Sequence, residues 1–289
     1  MKATAFSPAH ITGFFEPCFD QTNLKKSGSR GAGFNLSLGA LSTVELQPSL
    51  KQNITISING KKDSAPVTTL GVKQLLGSQA FNVSVDIWLD LPIGQGFGMS
   101  AAGTLSSCLA LSSLLNLSEN DAVIASHLAE VSCSTGLGDV VAQQFGGIEI
   151  RREPGLPPYG YLEHIPGSYD IVLCIVGEHV LTSNILLDVK QIENITMQGR
   201  ECLQCLLQKP SFTNLLVQSQ LFSKKTHLAS ELLLDAIDAC EPYGKVSMCM
   251  LGNSLFAVGN QTQLVDILSK YGNTYCCRIE TRGAHILKK

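Results

Sequence analysis

Apolar and polar residues alternate through the first third of the chain, and this period of two predicts strands. A first strand is expected at Ala3–Pro8, followed by turn and breaker residues from His10 to Pro17. Further strands are expected over 34–46, 54–58 and 81–91; in the last, Phe81, Val83, Val85, Ile87 and Leu89 fall on one face. The period then becomes helical. Ser100 to Leu117 runs without a proline, and Ser118 to Asp121 has the form of a capping box that opens a second helix to about Cys133. Asp139 opens a third, short helix after a stop at Ser134–Gly138, and Ile148–Arg152 reads as the strand closing this half.

Pro154, Pro157, Pro158 and Gly160 make a break suited to a domain boundary, which predicts domains over 1–155 and 156–289. The second half shows a buried strand at Tyr169–Val176, then helical patterns over 184–208, 213–221 and 226–239. Strands follow over 246–251, 255–259 and 275–280, with a helix over 261–271 before the last. This order predicts an α+β fold with helices on one face of an antiparallel sheet. The apolar strands of this half fit an ordinary core or, as the alternative, a homodimer interface.

Composition narrows the picture. With 289 residues, 44% of them hydrophobic and 16% charged, a globular protein large enough for two domains is expected. A net charge of −3 and the absence of any Lys/Arg cluster longer than two residues argue against a nucleic-acid surface. The first ten residues lack the apolar core of a signal peptide, and the hydroxyl-rich run after Ser100 is too short to span a membrane, so a cytoplasmic location is expected. There the ten cysteines stay reduced, and Cys202 and Cys205 read as two positions on one helix because no second pair or histidine cluster accompanies them.

The candidate chemistry centres on Leu91–Gly103, L-P-I-G-Q-G-F-G-M-S-A-A-G. Glycines at 94, 96 and 98 let the backbone turn tightly, and the helix start that follows offers unpaired amides and the positive end of its dipole to an anion, most naturally phosphate. The alternative is a structural turn between a strand and a buried helix. The loop lacks the Lys-Ser/Thr ending of one common phosphate loop and the third-glycine spacing of the other. A phosphate loop calls for a divalent cation, and Mg²⁺ needs only one or two protein oxygens; Ser100 and Glu130 are the expected pair. Asp139, among small residues at a helix start, is the expected base.

Pro92-x-Gly-x-Gly-x-Gly-x-Ser100-Ala-Ala, followed by Gly138-Asp139 and Phe145-Gly146-Gly147, resembles the GHMP kinases of galactose, homoserine, mevalonate and phosphomevalonate. The resemblance implies the two-domain GHMP fold, a ribosomal-protein-S5-like N-terminal domain and a ferredoxin-like C-terminal one. It also implies ATP and Mg²⁺. Pro92, Gly94, Gln95, Gly96, Gly98, Met99, Ser100 and Ala101 become the ATP cradle, Ser100 and Glu130 the metal ligands, and Asp139 the proton acceptor. Two positions depart from mevalonate kinase: His10 stands where that enzyme has a lysine, and the third motif is reduced to Gly252-Asn-Ser254.

Three blocks, S-P-A-H-I-T-G-F-F-E-P, G-S-R-G-A-G-x-N-L-S and S-T-G-L-G-D-V-V-A-Q, are instead similar to the archaeal branch that phosphorylates pantoate on the way to coenzyme A. Ser29, His127 and Arg151 would then hold pantoate, with His10 and Arg30 as further candidates; an anionic, hydroxylated substrate needs such donors. Two alternatives stay open: a GHMP kinase for homoserine or a mevalonate-type alcohol, and a non-catalytic sensor that keeps the fold.

Overall fold

A computed structural model describes residues 1–177 and 189–289. The first sheet has eight strands. β1 (Lys2–Cys18) pairs antiparallel with the long β2 (Gly28–Pro48); β3 (Asn53–Ile58) and β4 (Lys61–Asp63) form a hairpin, and β5 (Phe81–Leu89) lies between β2 and β3, parallel to β3. The other half of β2 carries β6 (Ile148–Glu153), β6 carries β7 (Tyr161–Ile165), and the C-terminal β12 (His285–Lys288) covers the free edge of β1.

β1 is far longer than the expected Ala3–Pro8, because the residues that read as breakers sit at irregularities rather than ends. Its register to β2 shifts between Pro8 and Ala9 and again between Thr12 and Phe14, so Pro8 and Gly13 are absorbed by bulges. The glycine patch at 28–33 is likewise strand, not loop. A side chain on Gly31, whose φ is +148°, would collide with Phe14 of β1. The proline-rich break links β6 to β7 within the same sheet, which therefore continues to Ile165.

Helices α1 (Pro66–Leu76), α2 (Met99–Leu115), α3 (Glu119–Ser132) and α4 (Asp139–Phe145) belong to this part of the chain. α2 is buried on nearly every side, and its hydroxyls are satisfied internally: Ser106 and Ser107 reach Ser42 of β2 and carbonyls one turn back. The capping box of α3 forms as expected, Ser118 and Asp121 each bonding the other's backbone.

The second sheet is antiparallel throughout, in the order β11 (Asn273–Arg278), β8 (Asp170–Ile175), β10 (Ser254–Gly259), β9 (Gly244–Met248). Its helices are α5 (Val189–Gln208), α6 (Phe212–Thr226), α7 (Glu231–Cys240) and α8 (Gln261–Leu268). The start of the helical pattern expected from Asn184 lies outside the described residues up to 188. The apolar strands β8 and β10 are buried in the chain's own core. Phe34 of β2 meets both Phe256 of β10, at 5.2 Å, and Phe212 of α6, at 5.7 Å, edge-on, so one aromatic cluster joins the two sheets.

Candidate active site

The loop between β5 and α2 turns through three glycines of positive φ, Gly94, Gly96 and Gly98 at 81°, 76° and 60°. Gly98 is the residue that precedes α2, and no side chain caps that end. The first amides of α2 therefore keep their donors for whatever enters the cleft. Ser100 lies one residue inside the helix, so it does not cap α2.

Four bonds hold the loop in place. Gln143 of α4 donates to Gly98 O at 2.9 Å, the His10 amide to Phe97 O at 3.0 Å, Gln95 Nε2 to Gly177 O at 3.0 Å, and Ser254 Oγ to Gln95 O at 2.5 Å. Gly252 packs directly on the Gln95 backbone. The reduced third motif thus serves as a clamp on the loop, a role its sequence did not reveal.

A cleft of about 400 Å³ opens beside the loop. Gly94, Gly96, Gly98, Met99, Ser100 and Ala101 line it, together with Glu130, Asp139, Ser29 and Thr12. Pro92 and Gln95, expected in the cradle, are not among its walls; Gln95 is spent on the bonds just described. A second cavity, about 420 Å³, shares Ser29, Leu137 and Gly138 with the first; its walls include the apolar Val141, Phe145 and Leu162 and the polar Arg151, Glu153 and His164.

Glu130 is buried, and its Oε2 has no hydrogen-bond partner among the described residues. Burial first, and the nearby Asp139 carboxylate second, push its pKa well above the usual range; the Val140 amide and Arg151 oppose the shift only in part. Asp139 at the first position of α4 is 23% exposed, and its Oδ1 meets His10 Nδ1 at 2.6 Å. The other ring nitrogen of His10 meets Glu149 Oε1 at 2.8 Å, and Arg151 Nη1 bonds the same Glu149 oxygen. Arg151 is buried, reaches Thr12 Oγ1 at 3.4 Å, and leaves its Nε without a partner among the described residues.

Three expected substrate groups line neither cavity. His10 is fully buried between two carboxylates and lines neither cavity. Arg30 is committed to the Arg152 carbonyl at 2.8 Å and to Glu16. The buried Glu16 of β1, directly opposite in the pairing of β1 with β2, is the charge it answers, which the linear order could not show. His127 is buried under the turn at 24–26, with Nε2 3.3 Å from Leu24 O and Nδ1 without a partner among the described residues, and burial lowers its pKa. Ser29 and Arg151, by contrast, line the second cavity. Sequence reasoning passed over Glu149, although an acid and an arginine two apart in an apolar strand share one face and signal a buried pair.

Residues 68–147 match the family model of the GHMP kinases N terminal domain. The Pantoate kinase of Methanocaldococcus jannaschii is 36% identical over 279 residues, covering 95% of this chain and 99% of that protein. The Pantoate kinase of Thermococcus kodakarensis is 36% identical over 267 residues, 89% of this chain and 88% of its own. A solved structure described as a phosphotransferase related to the CoA biosynthesis pathway superposes with a TM-score of 0.91 at 31% identity, covering 100% of this chain and 99% of that one. The fold is thus the two-domain α+β architecture of the GHMP kinases, as the sequence led us to expect. Within that class, the chain belongs to the pantoate kinase family.

Proposed function

We propose that this chain transfers the γ-phosphoryl group of ATP to the primary hydroxyl of pantoate, giving 4-phosphopantoate and ADP, as a cytoplasmic enzyme of coenzyme A synthesis. The observation that carries this reading is the cleft in which an uncapped helix start faces two acids, joined through Ser29 to a second cavity that contains a buried arginine. ATP phosphates fit the amides of 98–101, since a helix start with free donors is an anion site. The acceptor fits the second cavity. Pantoate carries a carboxylate for Arg151 and Ser29, and a dimethyl carbon for the apolar wall of Val141, Phe145 and Leu162.

In the step, the hydroxyl oxygen of pantoate bonds to the γ-phosphorus as the bond from that phosphorus to the bridging β–γ oxygen breaks. Asp139 takes the hydroxyl proton and ADP leaves with the bridging oxygen. The amides at the start of α2 stabilise the charge spread over the transferred group. A divalent cation suits the residues present, because the partnerless buried oxygen of Glu130 is a charge that only a cation or a proton can compensate. Glu130 with Ser100 would hold Mg²⁺, which takes few protein ligands and, when bound, neutralises phosphate charge. Among the described residues no cluster of three or more His, Cys, Asp or Glu side chains offers a self-contained metal cage, in keeping with an ion shared with nucleotide.

A complex with a non-hydrolysable ATP analogue and pantoate tests the reading. The primary hydroxyl is expected within about 3 Å of Asp139, on the line to the γ-phosphate; pantoate bound away from Asp139 would refute it.

A further inference from the structure

His10 and Glu149 lie on strands that do not pair with each other. β2 separates β1 from β6, so the two strands stand about 9.6 Å apart, twice the ordinary spacing. Side chains do not normally cross such a gap. Here they do, because the residue between them is Gly33: a Cβ there would lie 2.7 Å from His10 Nε2 and 2.8 Å from Glu149 Oε1. The last glycine of the patch at 28–33 is therefore the opening through which the two side chains meet.

The two short carboxylate contacts favour a charged His10 over the longer 3.4 Å approach of Arg151 Nη1 to Nε2. Both ring nitrogens face carboxylate oxygens, at 2.6 and 2.8 Å, and a neutral imidazole can donate from only one. The groups facing the ring are Asp139 from α4 and Glu149 with Arg151 from β6; from the glycine loop comes only the Phe97 carbonyl, which accepts the His10 amide. With His10 protonated, the four charges sum to zero around a fully buried ring, whereas neutral His10 would leave one negative charge uncompensated. Burial lowers the pKa of His10, but the Glu149 and Asp139 carboxylates outweigh it, and the net direction is up from 6.5.

We propose that His10 and Glu149 form a positioning pair for phosphoryl transfer: the His10 imidazolium, braced by Glu149 through the gap at Gly33, fixes the Asp139 carboxylate in the orientation that accepts the substrate proton. This inference rests on the assignment of Asp139 as the proton acceptor. Because Glu149 also bonds Arg151, the brace joins the proton acceptor to the cation at the acceptor cavity. The pair touches no substrate; it acts through Asp139.

The sign of the pH dependence follows. The double donor exists below the raised pKa of His10 and is lost as pH rises through it, so kcat falls on the alkaline side. An asparagine amide overlays Nδ1 of histidine and a glutamine amide overlays Nε2, which makes two complementary variants. His10→Gln, which loses the donor to Asp139, is expected to lower kcat roughly 10- to 100-fold with little change in the ATP KM. His10→Asn, which keeps that donor, is expected to recover part of the loss and to show no alkaline fall. Glu149→Gln is expected to move the fall to lower pH, because His10 has lost one of its carboxylates.

The inference is overturned if His10→Gln turns over within about twofold of wild type, or if His10→Asn or Glu149→Gln keeps the wild-type alkaline limb in place. Should the variants not fold, ¹⁵N spectra of the wild-type histidine rings decide: both His10 nitrogens protonated at pH 7 supports the clamp, and a neutral tautomer overturns it. Asp139→Asn separates this inference from the reading beneath it. If Asp139→Asn is inactive and His10→Gln is not impaired, the clamp alone fails; if Asp139→Asn is fully active, the proton acceptor was assigned wrongly.

Discussion

Replacing Glu130 with glutamine should make the nucleotide-free protein more stable while disabling it. Glu130 is buried and has one carboxylate oxygen without a partner among the described residues, next to the negative charge of Asp139. A folded-state pKa raised above the unfolded value of 4.5 means that the native chain binds an extra proton over the intervening range. Stability then falls as pH climbs through that range, the reverse of the usual salt-bridged carboxylate. Glutamine has the same shape and no charge to desolvate. At neutral pH the gain should be about 1–3 kcal/mol, the cost of an unsatisfied buried polar group, or roughly 2–5 °C in Tm for a chain of this size. Thermal unfolding from pH 5 to pH 8 in EDTA measures it, and the gap between variant and wild type should widen with pH. His10 also loses its contribution as pH rises, but it does so in both proteins and cancels from the gap. Magnesium with ADP should stabilise the wild type more than the variant, and turnover of Glu130→Gln should drop about 100-fold or more. A variant less stable than wild type at pH 7.5 in EDTA would show that the carboxylate is already satisfied in the folded chain, and the metal assignment would lose its physical basis.

Other expectations are simpler. Asp139→Asn should cut kcat by about 10²- to 10⁴-fold with a near-normal ATP KM, measured by ADP release. Ser254→Ala removes the 2.5 Å bond to the Gln95 carbonyl and should raise the ATP KM at a stability cost of about 0.5–1.5 kcal/mol, although Ser254 lies far from the loop in sequence. Arg151→Ala should raise the pantoate KM more than the ATP KM, whereas Arg30→Ala, whose guanidinium is engaged by Glu16 and the Arg152 carbonyl, should leave both within about twofold.

What could be read from the sequence was local. The loop at 91–103, the capping box at Ser118 and the acid at the start of α4 each declare themselves within a few residues, because tight turns and helix ends are built from neighbours. The length of β1 was hidden, since Pro8 and Gly13 carry breaker signals that only a bulged pairing with β2 overrides. β12, four residues at the C-terminal end, gains its place only by covering the edge of β1. The same holds within the site. Glu149 meets His10 across 139 positions, and nothing nearer in the chain than the pairing of three strands brings them together. Arg30 and His127 were expected as substrate donors because they stand near the catalytic blocks in sequence; the bonds they make, Arg30 to the Arg152 carbonyl and His127 Nε2 to the Leu24 carbonyl, are to residues more than 100 positions away.

The measurement that bears most directly on the central claim is an acceptor comparison with ³¹P detection of the product. The enzyme would be incubated with ATP and Mg²⁺ and, in parallel, pantoate, homoserine and mevalonate. The account predicts stoichiometric ADP and a phosphomonoester on the primary hydroxyl of pantoate, with the other two alcohols at least about 100-fold slower in kcat/KM. Comparable turnover of homoserine or mevalonate, or pantoate binding without any ADP, would contradict it.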